Sequence, residues 1–384
     1  MEISGSNRNG KEMQNFSEYK QSIVEKELKP YKLVIFNHSA EMVRDVKDTS
    51  LGELIKLLNI SAKKTGIEIF NVDFVGLYLS KKNGKTFIHS FPFDDKGDVI
   101  LPDQKDRLEK QYQAPIEIHP DNTILMPRGM GTVDFTSSRS WIDTVSQLEL
   151  EGFITIPSVY TWNICTSKYL TDIMCRKNGL RTPKTVALSY SEDTARAVDE
   201  LGTGFPMILK TSTGSQTGVG VTVVESERSL HASVQMLKLY KKYLPLLIQE
   251  YIKIDYDVRV VVLDGKVLGA MKREVIEGDI RSNASLGAKT EAIELTDLEI
   301  EDSIRAAAVV KGRLVGVDFL PSKNREKEQP YILEVNSMPG FGGIEKIQKG
   351  LTVDILNHFK DKKHLTKFME DYEDDVIIRE QWTL

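Results

Sequence analysis

The chain has 384 residues and a formal net charge of −5, with 40% hydrophobic and 28% charged residues. These values predict a globular protein of two or three domains with sizeable cores, and they exclude an overall basic surface for nucleic acid. No run reaches the roughly 18 apolar residues of a membrane-spanning helix, and the polar N-terminus lacks the apolar centre of a signal peptide. We therefore expect a cytoplasmic protein that contacts neither membrane nor nucleic acid, with Cys165 and Cys175 as free thiols.

The first part of the chain predicts an α/β domain at about 31–157, preceded by a polar leader and helix at 1–30. Its strands and helices alternate as a βαβ unit requires. They are strands at 31–36 and 67–70 around a helix at 51–64, then a strand at 122–128, a helix at 141–150 and a strand at 153–156. Asn83-Gly84 separates two alternating runs, at 76–81 and 85–91, and predicts a hairpin.

Arg128 ends the strand at 122–128, and Gly129 and Gly131 follow it. An arginine at a strand end with glycines behind it can bind a ligand carboxylate or phosphate. An arginine packed across a domain boundary gives the same pattern, so the sequence leaves both interpretations open.

Two lysines in the middle of the chain are candidate anion-binding residues. Lys168 lies in the first turn of a predicted helix that Thr166 or Ser167 caps and Gly179 ends. A lysine there opposes the helix dipole, which indicates either an anionic partner or an exposed side chain. Lys210 ends a predicted strand at 205–210.

The loop at 211–220 follows Lys210 and is rich in glycine, serine and threonine, and a strand at 221–224 follows the loop. Such a backbone can offer N–H groups to phosphate. It is not a P-loop, because no Gly-Lys-Ser/Thr ends it and no helix follows. A plain hairpin loop explains the same residues.

The last third of the chain carries carboxylates and amides within apolar strands. Asp264-Gly265 predicts a hairpin between 257–263 and 266–273, and a helix at 297–310 leads into two buried strands at 314–320 and 330–336. Glu334 and Asn336 share one strand face, and Asp318 lies mid-run, where an unpaired carboxylate is costly. If the strands are neighbours, three hard oxygens converge, which suits Mg²⁺. A salt-bridged Asp and Glu at strand ends is the alternative.

The order of these motifs resembles the ATP-grasp ligases, and among them the RimK-like branch, whose enzymes add glutamate to the C-terminus of a ribosomal protein. The resemblance is strong over about 156–358 and loose in the first domain, where Pro127-Arg128 carries it. The motifs are Gln249-Glu-Tyr-Ile-Lys253, Asp257-Val-Arg259, Glu277-Gly-Asp-Ile-Arg-Ser-Asn283, Gly316-Val-Asp318, Glu334-Val-Asn336, Pro339-Gly340 and Gly343-Ile-Glu-Lys346.

The resemblance implies a mixed α/β (α+β) ATP-grasp fold. A Rossmann-like pre-ATP-grasp domain would occupy 31–157, the central ATP-grasp subdomain 158–245 and the C-terminal subdomain 246–358, with a charged tail at 359–384. It also implies ATP and two Mg²⁺ ions as cofactors, with Mn²⁺ as a possible substitute, and a homo-oligomer, since relatives often assemble.

The resemblance further implies a role for each matching residue. Three sets are expected: phosphate, adenine and ribose contacts to ATP, ligands of the Mg²⁺ ions, and residues near the reacting groups. The ATP set is Lys168, Lys210, Gly214, Ser215, Gln216, Gly218, Gln249, Glu250, Tyr251, Ile252 and, at the ribose, Asp257. The metal set is Asp318, Glu334 and Asn336, and the catalytic set is Arg273, which would face the reacting carboxylate, with Arg281 and Asn283. The extra Thr217 in the glycine loop leaves open which amides contact phosphate.

The activity implied by the resemblance is ATP-dependent formation of an amide bond through an acyl phosphate. The substrates would be an amino acid, glutamate-like, and a peptide or protein carboxylate. Two alternatives stay open: a ligase of the same fold that acts on a free amino acid or small metabolite, and a non-catalytic regulatory protein that binds ATP.

Overall fold

The computed structural model describes residues 32–37, 49–92, 112–128, 135–188, 193–213, 220–240, 245–275 and 289–360. The predicted leader at 1–30, the centre of the glycine loop at 214–219, the polar loop at 277–283 and the tail after 360 lie outside the described residues. Within the described residues, the chain forms a mixed α/β structure with four sheets.

The first sheet is parallel, and its strand order is β2-β1-β6-β7. The predicted βαβ unit is confirmed, because β1 and β2 pair in parallel on either side of a helix in the chain. Side chains alternate between two faces, as a strand requires, and both faces are covered by apolar cores. The strands are β1 (Lys32–Asn37), β2 (Glu68–Asp73), β6 (Thr123–Pro127) and β7 (Ile154–Thr155).

The predicted hairpin is confirmed and belongs to a three-stranded antiparallel sheet. It consists of β3 (Tyr78–Lys82) and β4 (Lys85–His89), and β5 (Ile116–Ile118) pairs with β4. Asn83 and Gly84 have φ angles of 52° and 74°, the left-handed conformations that a two-residue hairpin turn needs. The sequence did not predict β5, because three residues are too short for a pattern of period two.

Two further sheets occupy the rest of the chain. The central sheet has the order β10-β9-β11-β8, and the C-terminal sheet has the order β14-β13-β12-β15-β16. The central strands are β8 (Thr185–Leu188), β9 (Met207–Thr211), β10 (Val221–Val224) and β11 (Leu246–Glu250). The C-terminal strands are β12 (Tyr256–Leu263), β13 (Lys266–Glu274), β14 (Thr290–Ala292), β15 (Leu314–Leu320) and β16 (Tyr331–Asn336). The predicted turn at Asp264-Gly265 is confirmed, with φ angles of 41° and 74°.

Nine helices cover these sheets in the described part of the chain. Strong caps define several of them: Thr296 and Glu299 form a capping box at α7, and Gly202 ends α5 in the left-handed conformation. The helices are α1 (Thr49–Thr65), α2 (Phe135–Leu150), α3 (Val159–Cys165), α4 (Lys168–Lys177), α5 (Thr194–Leu201), α6 (Glu227–Tyr240), α7 (Asp297–Val309), α8 (Gly342–Ile347) and α9 (Leu351–Phe359). Of these, α3, α8 and α9 were not predicted. None of the helices combines the length and the apolar character needed to cross a membrane.

One apolar core joins the first sheet to the C-terminal sheet. Leu33 and Ile35 of β1 pack in the same buried cluster as Val261 of β12 and Ile355 of α9. The central sheet has a separate core with α5 and α6. The first and C-terminal sheets are therefore stabilised by shared burial, whereas the central sheet is stabilised within itself. The domain boundaries named above stay predictions.

We predict that Ile355→Ala lowers the free energy of unfolding by about 3 kcal/mol, because it opens a cavity in the core that the two sheets share. Urea unfolding followed by circular dichroism measures the change. Leu150→Ala is the control, since Leu150 is 89% exposed, and it should change the value by less than about 0.5 kcal/mol. Equal losses for the two variants would contradict the shared core.

Candidate active site

Charged side chains follow one another across a single face of the C-terminal sheet. In β12, Asp257 and Arg259 are two residues apart and share this face, while Val258 between them enters the opposite core. Arg273 of β13 lies opposite Asp257, and Asp318 of β15 lies opposite Arg259. Glu334 of β16 lies opposite Asp318. Strand register therefore brings together five charges that the sequence spreads over 78 positions.

Two arginines bind the carboxylate of Asp318. Arg259 donates to both oxygens, from Nε to Oδ1 at 2.7 Å and from Nη2 to Oδ2 at 2.6 Å, and Arg273 Nη2 donates to Oδ2 at 3.0 Å. Burial alone would raise the pKa of Asp318, but the charges of Arg259 and Arg273 outweigh burial and hold the pKa well below its ordinary value. Asp318 is therefore ionised. In this structure it forms salt bridges, which was the alternative to a metal site that the sequence left open.

Arg273, predicted to face a reacting carboxylate, is bonded to two carboxylates of the protein itself, Asp257 and Asp318. It is 3% exposed and donates to Asp257 at 2.7 Å and 2.6 Å through Nε and Nη2. Asp257, predicted at the ATP ribose, accepts these two bonds with its two oxygens. The reason is their register, which places the two residues opposite each other in the hairpin. A catalytic role for Arg273 and a ribose contact for Asp257 stay predictions.

The three predicted metal ligands converge, and each keeps acceptor capacity. Asn336 lies opposite Gly316 and is on the same face as Glu334; its Oδ1 accepts one bond, from the Met338 N–H at 2.9 Å. A carboxylate has about four acceptor positions, and the two arginines occupy three on Asp318. The Glu334 side chain is 36% exposed, and its oxygens lie 3.9 Å from Arg259 and 4.0 Å from Lys168.

This donor set fits a hard divalent cation. Two carboxylates and an amide oxygen are ligands that Mg²⁺ prefers, and the exposure of Glu334 leaves room for water and phosphate. No group of three or more histidine, cysteine, aspartate or glutamate side chains with metal-site geometry occurs within the described residues. A site here therefore depends on the amide of Asn336 as well as on the two carboxylates.

Lys168 and Lys210 border these carboxylates. Lys168 begins α4, and Ser167 Oγ caps this helix by accepting from the Leu170 N–H. The backbone N–H of Lys168 donates to Ser212 O at 2.9 Å, which connects α4 to the end of β9 in the central sheet. Lys210 Nζ donates to Gln249 Oε1 at 2.9 Å. The pKa of Lys210 is lowered to about 8, mainly by burial and next by the like charge of Lys168, while the smaller effects of Glu334 and Asp172 raise it.

The segment predicted to read adenine lies where β11 leaves the central sheet. Gln249 Nε2 donates to Thr185 Oγ1 at 2.7 Å, so this amide joins Lys210 to β8. Glu250 accepts from the Lys184 N–H at 3.2 Å with its side chain, and its own N–H donates to Lys184 O at 2.9 Å. Tyr251 and Ile252 follow, both half-buried. Their contact with a nucleotide stays a prediction.

Arg128 packs across the boundary between the first and C-terminal sheets, which was one of the two interpretations left open. Its Nη2 donates to Met338 O at 3.2 Å and to Pro339 O at 2.8 Å, just beyond Asn336. Gly316 makes room for this loop, since a Cβ at that position would lie 3.0 Å from Pro339 Cβ. Arg128 therefore connects the end of β6 to the end of the strand that carries the candidate metal ligands.

The predictions for Gly214, Ser215, Gln216, Gly218, Arg281 and Asn283 lie outside the described residues. Sequence reasoning missed the role of Arg259, which belonged to a motif but received no function. The signal was available, because Asp257 and Arg259 alternate with valines and therefore had to share a face. Cys165 and Cys175 are free thiols, as predicted.

Comparison with known proteins gives a family match and similar sequences. A family model described as the RimK-like ATP-grasp domain matches residues 166–359. A probable alpha-L-glutamate ligase of Coxiella burnetii (strain Dugway 5J108-111) is 33% identical over 220 residues, which are 57% of this chain and 70% of that protein.

Two solved structures share the fold at low sequence identity. A RiPP-associated ATP-grasp ligase of Chryseobacterium gregarium, in complex with ADP and a leader and core peptide, has a TM-score of 0.60 and 15% identity over 87% of this chain and 97% of that one. The ATP-grasp ligase PsnB, complexed with a minimal precursor, Mg and ADP, has a TM-score of 0.56 and 17% identity over 88% of this chain and 98% of that one.

The structural likeness shows that the chain has the ATP-grasp fold. The family match narrows this class: the chain belongs to the RimK-like ATP-grasp family. It is accordingly an ATP-dependent ligase that forms carbon–nitrogen bonds.

We predict that Asp257→Asn lowers the free energy of unfolding by about 3 kcal/mol, because it leaves the buried Arg273 charge with less compensation. Chemical denaturation measures the loss. The control is Asp193→Asn, because Asp193 pairs with Arg196 at the surface and makes no side-chain cap bond. It should cost less than about 1 kcal/mol. A loss at Asp257 no larger than at Asp193 would contradict the structural role of the buried pair.

Proposed function

We propose that this protein joins an amino acid to a peptide or protein carboxylate, with ATP and Mg²⁺ as cofactors. The observation that carries the proposal is the convergence of Lys168, Lys210, Asp318, Glu334 and Asn336 at one edge of two sheets. This arrangement offers cations for a polyphosphate and hard oxygens for divalent metal in the same place.

The two lysines would bind the phosphates of ATP. Both lysines lie near Glu334, because the charges of Lys168 and of Glu334 both act on Lys210. An anion between them would relieve the repulsion of like charges and the desolvation of Lys210. The segment from Gln249 to Ile252 would bind the adenine through its backbone, because it connects the two sheets beside Lys210.

Asp318, Glu334 and Asn336 would hold the Mg²⁺ ions, of which we propose two. When bound, the metal would neutralise phosphate charge and help to align the transferred phosphoryl group. This chain's own residues set up the site in advance. The two arginines keep Asp318 ionised, and the exposed Glu334 supplies the carboxylate that is least engaged in this structure.

The reaction proceeds in two balanced steps. An oxygen of the substrate carboxylate attacks the γ-phosphorus while the bond to the ADP oxygen breaks, which yields an acyl phosphate. The amine nitrogen then attacks the acyl carbon, the carbon–oxygen bond to phosphate breaks, and the nitrogen loses a proton as the amide forms. Neither step needs a protein nucleophile, so binding and charge stabilisation suffice.

Glutamate or a glutamate-like amino acid is the proposed amine substrate, because the similar curated protein carries the name alpha-L-glutamate ligase. A peptide or protein acceptor is supported by the fold shared with ligases solved with a precursor or a leader and core peptide. A ligase for a free amino acid or small metabolite is the second candidate. The test is product mass after incubation with ATP, Mg²⁺, an amino-acid panel and acceptor peptides.

We predict that Glu334→Gln lowers turnover by about 100-fold, because the amide keeps the shape but loses the charge next to the phosphates. Phosphate release at saturating ATP and rising Mg²⁺ concentration measures the effect, and the half-saturating Mg²⁺ concentration should rise. The control, Glu291→Gln, removes a carboxylate of similar exposure, 40%, from β14 of the same sheet. It should leave both values near wild type. Wild-type Mg²⁺ dependence in Glu334→Gln would refute the proposed metal role.

We also predict proton uptake when MgATP binds above pH 8. The pKa of Lys210 is about 8 in the free protein, and bound phosphate raises the pKa because it favours the charged form. Below pH 8 the lysine is already protonated, so uptake is small; above pH 8 free Lys210 is mostly neutral, so binding takes up a proton and affinity falls. Calorimetry at pH 7 and pH 9 in buffers of different ionisation enthalpy measures the uptake. The Lys210→Met variant should show no pH-dependent proton uptake. Uptake that still rises above pH 8 in this variant would contradict its assignment to Lys210.

A further inference from the structure

Polar side chains interrupt the apolar face of the first sheet at its carboxyl end. Leu33 and Ile35 of β1 belong to the core shared with the C-terminal sheet, and Asn37 continues the same face. Arg128 extends the face of β6 in the same way, because its N–H donates to Phe36 O and keeps the parallel alignment beside Asn37. Asn71 of β2 also lies on this face, opposite Ile35.

These side chains carry buried polar atoms with no hydrogen-bond partner. They are both polar atoms of the Asn37 amide, Oδ1 of Asn71 and Nε of Arg128. Among the described residues, eight buried side-chain atoms lack a partner, and four of them belong to this cluster. Unpaired buried polar groups cost free energy, so their concentration on three neighbouring strands indicates that a ligand completes them.

The position of the cluster in the sheet also indicates a ligand. The chain passes from β1 to β2 on one side and later adds β6 on the other, so the strand order reverses between β1 and β6. In open parallel sheets, ligands bind outside the carboxyl ends of the strands at this point. Asn37 ends β1 and Arg128 follows β6, so both border this switch point.

The charge of the cluster selects an anion. The Arg128 side chain is 4% exposed, and its bonded partners, Met338 O and Pro339 O, are neutral carbonyls. Burial lowers the pKa of Arg128 to about 10, as expected for a buried cation with no compensating carboxylate among the described residues. A carboxylate at Nε would supply that compensation and would be shielded from water.

We propose that Asn37, Asn71 and Arg128 form a subsite for a substrate carboxylate that has an N–H group beside it. The carboxylate would accept from Arg128 Nε and Asn37 Nδ2, and the N–H group would donate to Asn37 Oδ1 or Asn71 Oδ1. This chemistry is shared by the backbone of a free amino acid and by the C-terminal residue of a peptide.

The proposal rests on the ligase function proposed above and names a substrate group for it. The carboxylate in this subsite would not be the one that reacts: in an amino acid the amine reacts, and in a peptide the reacting carboxylate would be one other than the anchored terminal one. Arg128 connects the two places through Met338 and Pro339, directly after Asn336. A substrate anchored here is therefore held next to the end of the metal-binding strand.

Asn37→Leu tests the subsite without a new charge and with little change in volume. We expect the Michaelis constant of one substrate, L-glutamate or a peptide with a free C-terminal carboxylate, to rise about tenfold or more, because a hydrogen bond to a charged group is lost. The Michaelis constant for ATP should not rise. The urea midpoint of unfolding should not fall, because the variant also removes unpaired buried polar atoms. The substrate whose constant rises is the one whose carboxylate the subsite binds. If neither changes, the subsite is overturned.

Asn37→Asp adds a negative charge in place of the amide and should weaken the same substrate more than Asn37→Leu does. Equal or tighter binding in the aspartate variant would overturn the carboxylate assignment. Asn71→Leu provides an independent probe should Asn37→Leu fail to fold.

Arg128→Lys keeps the charge but loses the Nε donor, and it should raise the same constant. Its matched control is Arg181→Lys, because Arg181 contacts Gln329 O and Tyr331 at the opposite end of β16. Equal effects of the two lysine variants would mean that Arg128 only supports the strand.

Direct binding separates this inference from the proposed function. Calorimetry with L-glutamate and with the peptide, in the presence of Mg²⁺ and a non-hydrolysable ATP analogue, compares wild type with Asn37→Leu. If wild type shows no ligase turnover but one of the two probes binds in an Asn37-dependent manner, the subsite stands and the reaction proposal fails. If wild type turns over and Asn37→Leu binds both probes like wild type, the subsite alone fails.

Discussion

The pairing of Asp318 with Arg259 and Arg273 is the interaction on which the site depends. A buried carboxylate between two strands would be costly if unpaired, and two guanidinium groups keep it charged and fixed. Asp257 in turn compensates Arg273. Because each charge holds the next, the face of the sheet presents Glu334 and one remaining acceptor position of Asp318 in a defined geometry. The site therefore needs little rearrangement of its carboxylates before a cation and a polyphosphate bind.

The charge balance of the same group favours the anionic ligand proposed above. Lys168, Lys210, Arg259 and Arg273 lie near the carboxylates of Asp257, Asp318 and Glu334, and Asp172 of α4 also acts on Lys210. On the lysine side, burial and the like charge of Lys168 lower the pKa of Lys210. A phosphate chain relieves that strain, whereas a neutral ligand does not. Electrostatics thus favours the same ligand that the family assignment indicates.

Much of this could be predicted from the sequence, because the informative signals are local. Asn83-Gly84 and Asp264-Gly265 set two hairpins through turn chemistry alone, and the spacing of Glu334 and Asn336 determined their shared face. The contacts of Arg273 could not be predicted because they depend on register: nothing near Arg273 in the chain shows that Asp257 lies opposite it. The buried helix α9 was missed for a related reason, since its apolar face is explained by packing in the core that joins the first and C-terminal sheets. The polar atoms of Asn37 and Asn71 gave no sequence signal, because an asparagine near a strand end normally marks a turn.

The separate core of the central sheet has a consequence for cooperativity. Since α5 and α6 share their apolar core with strands of the central sheet, this layer can act as an independent foldon, whereas the first and C-terminal sheets share one core and are expected to open together. Amide protons of β9 and β10 can then exchange with solvent through a sub-global opening that leaves β12 and β15 protected. Lys210, which lies in that layer, can thus be released and recaptured while the acidic face keeps its register.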